Sequence, residues 1–134
     1  MNMNKYLKNF LTINKDLIQE ENFSLLFDNY NKYFKGHPNY LIDDEGDLTK
    51  QELLNCLLEI RPLDYILSKM DYIPDFTFTY YQGDTIQIPN NVNRIDREAF
   101  YGWPGRSVSL PNKFSESDIE RFIGFDNSRI TIRN

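Results

Sequence analysis

The chain has 134 residues, enough for one compact domain and too few for two full-sized ones. Apolar residues make up 40% and aromatics 15%, with ten Phe and nine Tyr, a composition that can bury a core and argues against disorder. Fifteen basic against twenty acidic residues give a net charge of -5, which disfavours a phosphate-backbone ligand, and the single cysteine, Cys56, excludes an intrachain disulfide.

The opening Met1-Asn2-Met3-Asn4-Lys5 lacks the apolar run of a signal peptide. No stretch approaches the roughly 20 apolar residues of a membrane span. The expectation is a cytoplasmic protein without a membrane partner.

Residues 1-70 read as helices. Tyr6, Phe10, Leu11, Leu17 and Ile18 fall at spacings of three, four and seven, and Leu25, Leu26, Phe27, Tyr30 and Phe34 continue the pattern in a second helix. Gly36-His37-Pro38 breaks the chain, and a loop runs to Asp47. Thr49-Lys50-Gln51-Glu52 has the form of a capping box ahead of Leu53, Leu54, Leu57 and Leu58, so a third helix starts there. Arg61-Pro62 interrupts it, and Leu63, Ile66, Leu67 and Met70 predict a short fourth helix.

From Tyr72 the period changes. Ile86-Gln87-Ile88-Pro89, Val108-Ser109-Leu110-Pro111 and Ile130-Thr131-Ile132 each set two apolar residues around one polar residue, at starts 22 positions apart. Phe78, Phe100 and Phe122 repeat at the same interval, as do Gly102 with Gly124 and Ile73 with Ile95, whereas Ile119 breaks the last column by two positions. An apolar-polar-apolar triplet is a short strand whose outer residues point inward, and it gains stability only when stacked in a parallel ladder.

Ile86-Gln87-Ile88-Pro89-Asn90-Asn91-Val92-Asn93-Arg94-Ile95-Asp96-Arg97-Glu98-Ala99-Phe100-Tyr101-Gly102 resembles the unit of the BspA-type leucine-rich repeats: strand, Ile-Pro, polar residues, Ile, then Ala-Phe and Gly. The next unit, Val108 to Gly124, keeps Leu-Pro, Phe122 and Gly124 but has Arg121 in place of Ala, and Tyr72-Ile73-Pro74-Asp75-Phe76-Thr77-Phe78 reads as a degraded first unit. The resemblance covers residues 71-134 and implies a three-rung solenoid used for protein or glycan contacts, with no catalytic residues to carry over. The resulting expectation is an α+β chain, a helical cap (1-70) continuous with a leucine-rich-repeat-like solenoid carrying a small parallel sheet (71-134).

The outward column of the sheet would be Gln87, Ser109 and Thr131, flanked by Thr85, Ser107 and Arg129. Tyr81, Tyr101 and Trp103 fall in the turns, and Trp103-Pro104-Gly105-Arg106 is the hot-spot candidate, the alternative being that Trp103 packs over the solenoid edge. The sequence reaches Arg133-Asn134 directly after the last rung, so Ile130, Ile132 and Arg133 form an edge expected to pair with a second copy or a partner, or to be shielded by Arg129 and Arg133. An end-to-end homodimer is the specific expectation.

Asp43, Asp44, Glu45, Gly46 and Asp47 lead to Glu52 with the spacing of EF-hand positions 6 and 12 at Gly46 and Glu52. Position 1 would be Leu41, which cannot ligate, so no metal is expected. His37 and Cys56 lack a third orienting group, and phosphate loops, paired-Cys zinc spacings and Gly-x-Ser-x-Gly elbows are absent from the sequence. The function read from the sequence is non-enzymatic and cofactor-free: an interaction or inhibitor module directed at another protein, of a kind that suits a mobile-element or phage product acting on a host factor. The alternative is a nucleic-acid mimic through the acidic loop, or a nucleic-acid binder through Arg94, Arg97, Arg106, Arg121, Arg129 and Arg133.

Overall fold

The computed structural model describes residues 5–35 and 49–134, a mixture of helix and small parallel sheets. His37, Leu41 and the acidic stretch 43–47 lie outside the described residues. Among the described residues no helix is long and apolar enough to cross a membrane.

Helix α1 (Lys5–Ile13) buries Leu7 and Phe10, and helix α3 (Phe23–Lys35) buries Phe23, Leu26, Phe27 and Tyr30, the three- and four-residue spacings of an amphipathic face. Leu17 and Ile18 do not continue α1. The backbone leaves helical geometry at Asn14 (φ -106, ψ 24), whose side-chain amide donates to the Phe10 carbonyl, and a separate short helix α2 (Lys15–Gln19) follows. Leu25 is 42% exposed on the far side of α3. Helix α4 (Thr49–Leu58) starts at the Thr of the capping-box sequence and buries Leu53, Leu54 and Leu57, leaving Cys56 half-buried. After Pro62, helix α5 (Leu63–Ser68) buries Ile66 and Leu67.

Ser24 fastens this half to the rest: its hydroxyl donates to the Tyr72 carbonyl and accepts from the amides of Asp71 and Tyr72. Asn91 does the same at α5, donating to the carbonyls of Leu67 and Met70. One buried apolar cluster accordingly runs without interruption from Leu7 to Ile130.

Five short strands follow: β1 (Tyr72–Ile73), β2 (Thr85–Gln87), β3 (Arg94–Ile95), β4 (Ser107–Leu110) and β5 (Ile130–Ile132). They form two parallel ladders, β1-β3 and β2-β4-β5. Every partner is 22 residues away: Tyr72 with Arg94, Ile86 with Val108, Val108 with Ile130. Ile86, Val108 and Ile130 are buried, while Gln87 and Thr131 are exposed. The same interval stacks the interior, since Phe78 lies on Phe100 at 5.4 Å and 8° and Phe122 meets Phe100 edge-on at 5.4 Å. Tyr81, Trp103 and Phe125 make a second column at 6.3 and 5.5 Å. Gly124 turns the chain at φ +77, and a Cβ there would lie 2.2 Å from the Tyr101 ring, so this position requires glycine.

The third unit departs from the other two at one place. Ser117, 22 residues after Ile95, is not in a strand but in helix α6 (Glu116–Glu120), and the displaced apolar residue Ile119 is buried by that helix. Ser115 starts the helix with a capping box: its hydroxyl accepts from the Asp118 amide while the Asp118 carboxylate accepts from the Ser115 amide at 2.7 Å. The sheet containing β3 therefore ends at β3.

Candidate interaction surface

A parallel ladder uses alternate residues of each strand. Asp96 donates its amide to the Ile73 carbonyl and Arg94 donates to Asp71, so the backbone groups of Ile95 turn away from β1. Among the described residues nothing on that side hydrogen-bonds to them. With α6 where a strand would stand, this edge opens into a groove of about 530 Å³. Ile95, Arg97 and Glu98 line one wall, and Phe114, Arg121 and Ile123 line the other.

Most of the carboxylates around this groove are engaged within the chain. Asp96 accepts from the Tyr72 hydroxyl at 2.6 Å and pairs with Arg94 at 3.4 Å, and the Arg94 guanidinium lies 4.0 Å from the centre of the Tyr72 ring. Burial, and then the Asp96 carboxylate accepting its hydrogen bond, push the Tyr72 phenol well above its ordinary value, so it stays a donor. Asp75 accepts from the Glu98 amide at 2.9 Å, and Asp118 is held by Ser115. Arg97 and Arg121, both exposed, have no ion-pair partner among the described residues.

Compared with protein-family models, curated proteins and solved structures, the chain has no significant match.

The residues singled out from the sequence divide among three environments. Gln87, Ser109 and Thr131 do stand side by side in register on the outward face of β2-β4-β5. Ser109 is covered, however: the Arg133 guanidinium lies across it, donating to its hydroxyl at 2.8 Å and its carbonyl at 3.0 Å, and reaching the Ile88 carbonyl one strand further on. Arg129 likewise turns back, donating to the Gly105 carbonyl at 3.0 Å. Arg129 and Arg133 thus anchor β5 to the preceding units instead of shielding its outer edge, which corrects the placement of Arg133 on that edge. Arg106 is exposed.

Trp103 needs the larger correction. It is 2% exposed, stacked on Phe125, and its indole N–H donates to the Gly83 carbonyl at 3.2 Å, so it is a core residue and no surface anchor. Tyr101 is 43% exposed but lies edge-on to Phe76, away from the ladder column.

The signal for the groove was present in the sequence. Ser115-Glu116-Ser117-Asp118 has capping-box spacing, and read together with the two-position slip of Ile119 it announces a helix in place of a strand.

Among the described residues nothing pairs with the outer edge of β5. Arg133 donates its amide to the Leu110 carbonyl, so Thr131 and Arg133 face β4 and the backbone of Ile130 and Ile132 faces outward. The Ile130 amide is taken by the Asn127 carbonyl, leaving the Ile132 amide and the two Ile carbonyls.

Proposed function

We propose that this chain is a non-enzymatic protein-interaction module that takes an extended segment of another protein along the open edge of β3. Its 71–134 half is, in this reading, a short leucine-rich-type solenoid of the kind its sequence resembles; the 22-residue register of both ladders and both aromatic columns supports that. The observation that carries the function is the outward-facing backbone of Ile95 at the floor of a groove walled by α6. Main-chain pairing to such an edge supplies affinity, and the flanking side chains supply selectivity. Arg97 and Arg121 favour acidic side chains on the incoming strand, and Phe114 with Ile123 favours an apolar residue between them.

The test is selection of displayed 12-residue peptides on the intact chain, followed by binding measurements on Ile95→Pro and Ile95→Val. Proline removes an amide that faces away from β1, a position an edge strand tolerates, along with part of a side chain packed on the core, and Ile95→Val, which keeps the amide, is the control for the side chain. Selected peptides should lose at least tenfold in affinity for Ile95→Pro and keep it for Ile95→Val. Peptides indifferent to Ile95→Pro, or a selection that yields none, would sink the reading.

A further inference from the structure

The outward edge of β5 has a property the β3 edge lacks: its sequence, Ile130-Thr131-Ile132, reads the same in both directions. We infer that it is a self-association site, where two copies of this chain pair β5 with β5 antiparallel about a twofold axis through Thr131. A twofold interface must be self-complementary, because the same patch meets itself. A palindromic strand meets that condition residue by residue.

With the axis at Thr131, Ile130 of one copy faces Ile132 of the other, and the Ile132 amide meets the mate's Ile130 carbonyl, once on each side of the axis. These are the groups that the register with β4 leaves pointing outward. Thr131, exposed, stands opposite its own copy in a position without hydrogen bonds between the backbones, and cross-strand Thr–Thr and Ile–Ile pairs are favourable ones. The remaining pair sets Arg129 against the mate's Arg133, a like-charge opposition that normally destabilises. Here both guanidiniums are drawn back over β4, onto Gly105 and onto Ser109 with Ile88, so the charges do not meet. On the inner side of the pairing, the half-buried Ile132 and its mate give apolar surface to bury.

In the antiparallel arrangement the Thr131 Cα atoms sit roughly 4.5 Å apart, within the range a disulfide spans. The experiment is light scattering over a range of concentrations together with oxidation of Thr131→Cys in a Cys56→Ser background, with Gln87→Cys, two strands inward, as the control. The intact chain should move toward twice 16.0 kDa with concentration, and Thr131→Cys should cross-link quantitatively while Gln87→Cys does not. Ile132→Pro, which deletes the outward amide together with the half-buried Ile132 side chain, should remain folded by circular dichroism and at 16.0 kDa, whereas Ile132→Val, which keeps the amide, should still associate. A chain at 16.0 kDa at every concentration overturns the inference. So does a dimer in which Thr131→Cys stays reduced or Ile132→Pro still associates.

Discussion

Pro89, Pro111 and Arg133 occupy equivalent positions, 22 residues apart, and the change from proline to arginine at the third has a calculable consequence. In the β2-β4 register the Ile88 carbonyl would accept from residue 111, but Pro111 has no N–H to give. The Arg133 guanidinium supplies the missing donor to that carbonyl, on a residue with 0% exposure, while also holding Ser109. In Arg133→Ala the Ser109 carbonyl keeps the Ile88 amide and its half-exposed hydroxyl turns to water, so the cost falls on the Ile88 carbonyl. Leaving a buried acceptor without a donor costs about 2 kcal/mol. With an unfolding entropy of about 2.1 cal/mol/K per residue over 134 residues, that lowers Tm by about 7 °C. The decisive comparison is a double-mutant cycle by thermal and urea unfolding. Pro111→Ala restores the backbone donor, so in that background Arg133→Ala should cost under about 1 kcal/mol. Equal costs in the two backgrounds, or a Tm change below about 2 °C, would refute the reasoning.

Three further outcomes follow from single residues. Trp103 is the only tryptophan and is buried, so its emission should be blue-shifted in the native state, and Trp103→Ala should destabilise by about 3–5 kcal/mol in denaturant titrations, enough to leave the chain near unfolding. Burial, and then the neighbouring Glu59 and Glu52, raise the Cys56 thiol from 9.0 to about 11, so alkylation of the native chain at pH 8 should run about 100-fold slower than that of the unfolded chain. Glu21 is held below its ordinary value, first by the hydrogen bond from Tyr65 and then by Arg61 at 3.3 Å; the stabilisation is present above pH 4.5 and is lost as pH falls through the depressed value. Tyr65→Phe should therefore flatten the acid limb of a Tm-versus-pH curve between pH 5 and 3; an unchanged limb assigns it to other carboxylates.

The strand register was legible because it rests on spacing: Ile86, Val108 and Ile130 recur at a fixed interval, and the ladders pair at that interval. The Trp-Pro-Gly context of Trp103 reads as a turn and by itself leaves both an exposed anchor and a packed ring open. Tyr81, Trp103 and Phe125 share the 22-residue interval too, and that column places the indole inside. The break in α1 was hidden because Leu17 and Ile18 keep helical spacing across Asn14, while the competing bond from the Asn14 side chain leaves no periodic trace. The roles of Arg129 and Arg133 were out of reach, since a guanidinium's direction depends on which carbonyls lack donors, a property of the assembled ladder. The groove needed both the capping box at Ser115 and the strand edge it uncovers, and only their juxtaposition makes a site.

Two neighbouring amides separate the open-edge reading from its opposite. In amide hydrogen exchange followed by NMR, Asp96, bonded to the Ile73 carbonyl, should be protected while Ile95 exchanges at least 100-fold faster. Adding a peptide selected on the chain should then protect Ile95 and leave Asp96 unchanged. An Ile95 amide already as protected as Asp96 in the free chain would mean that the β3 edge is closed, and the proposed docking of a partner strand would fall with it.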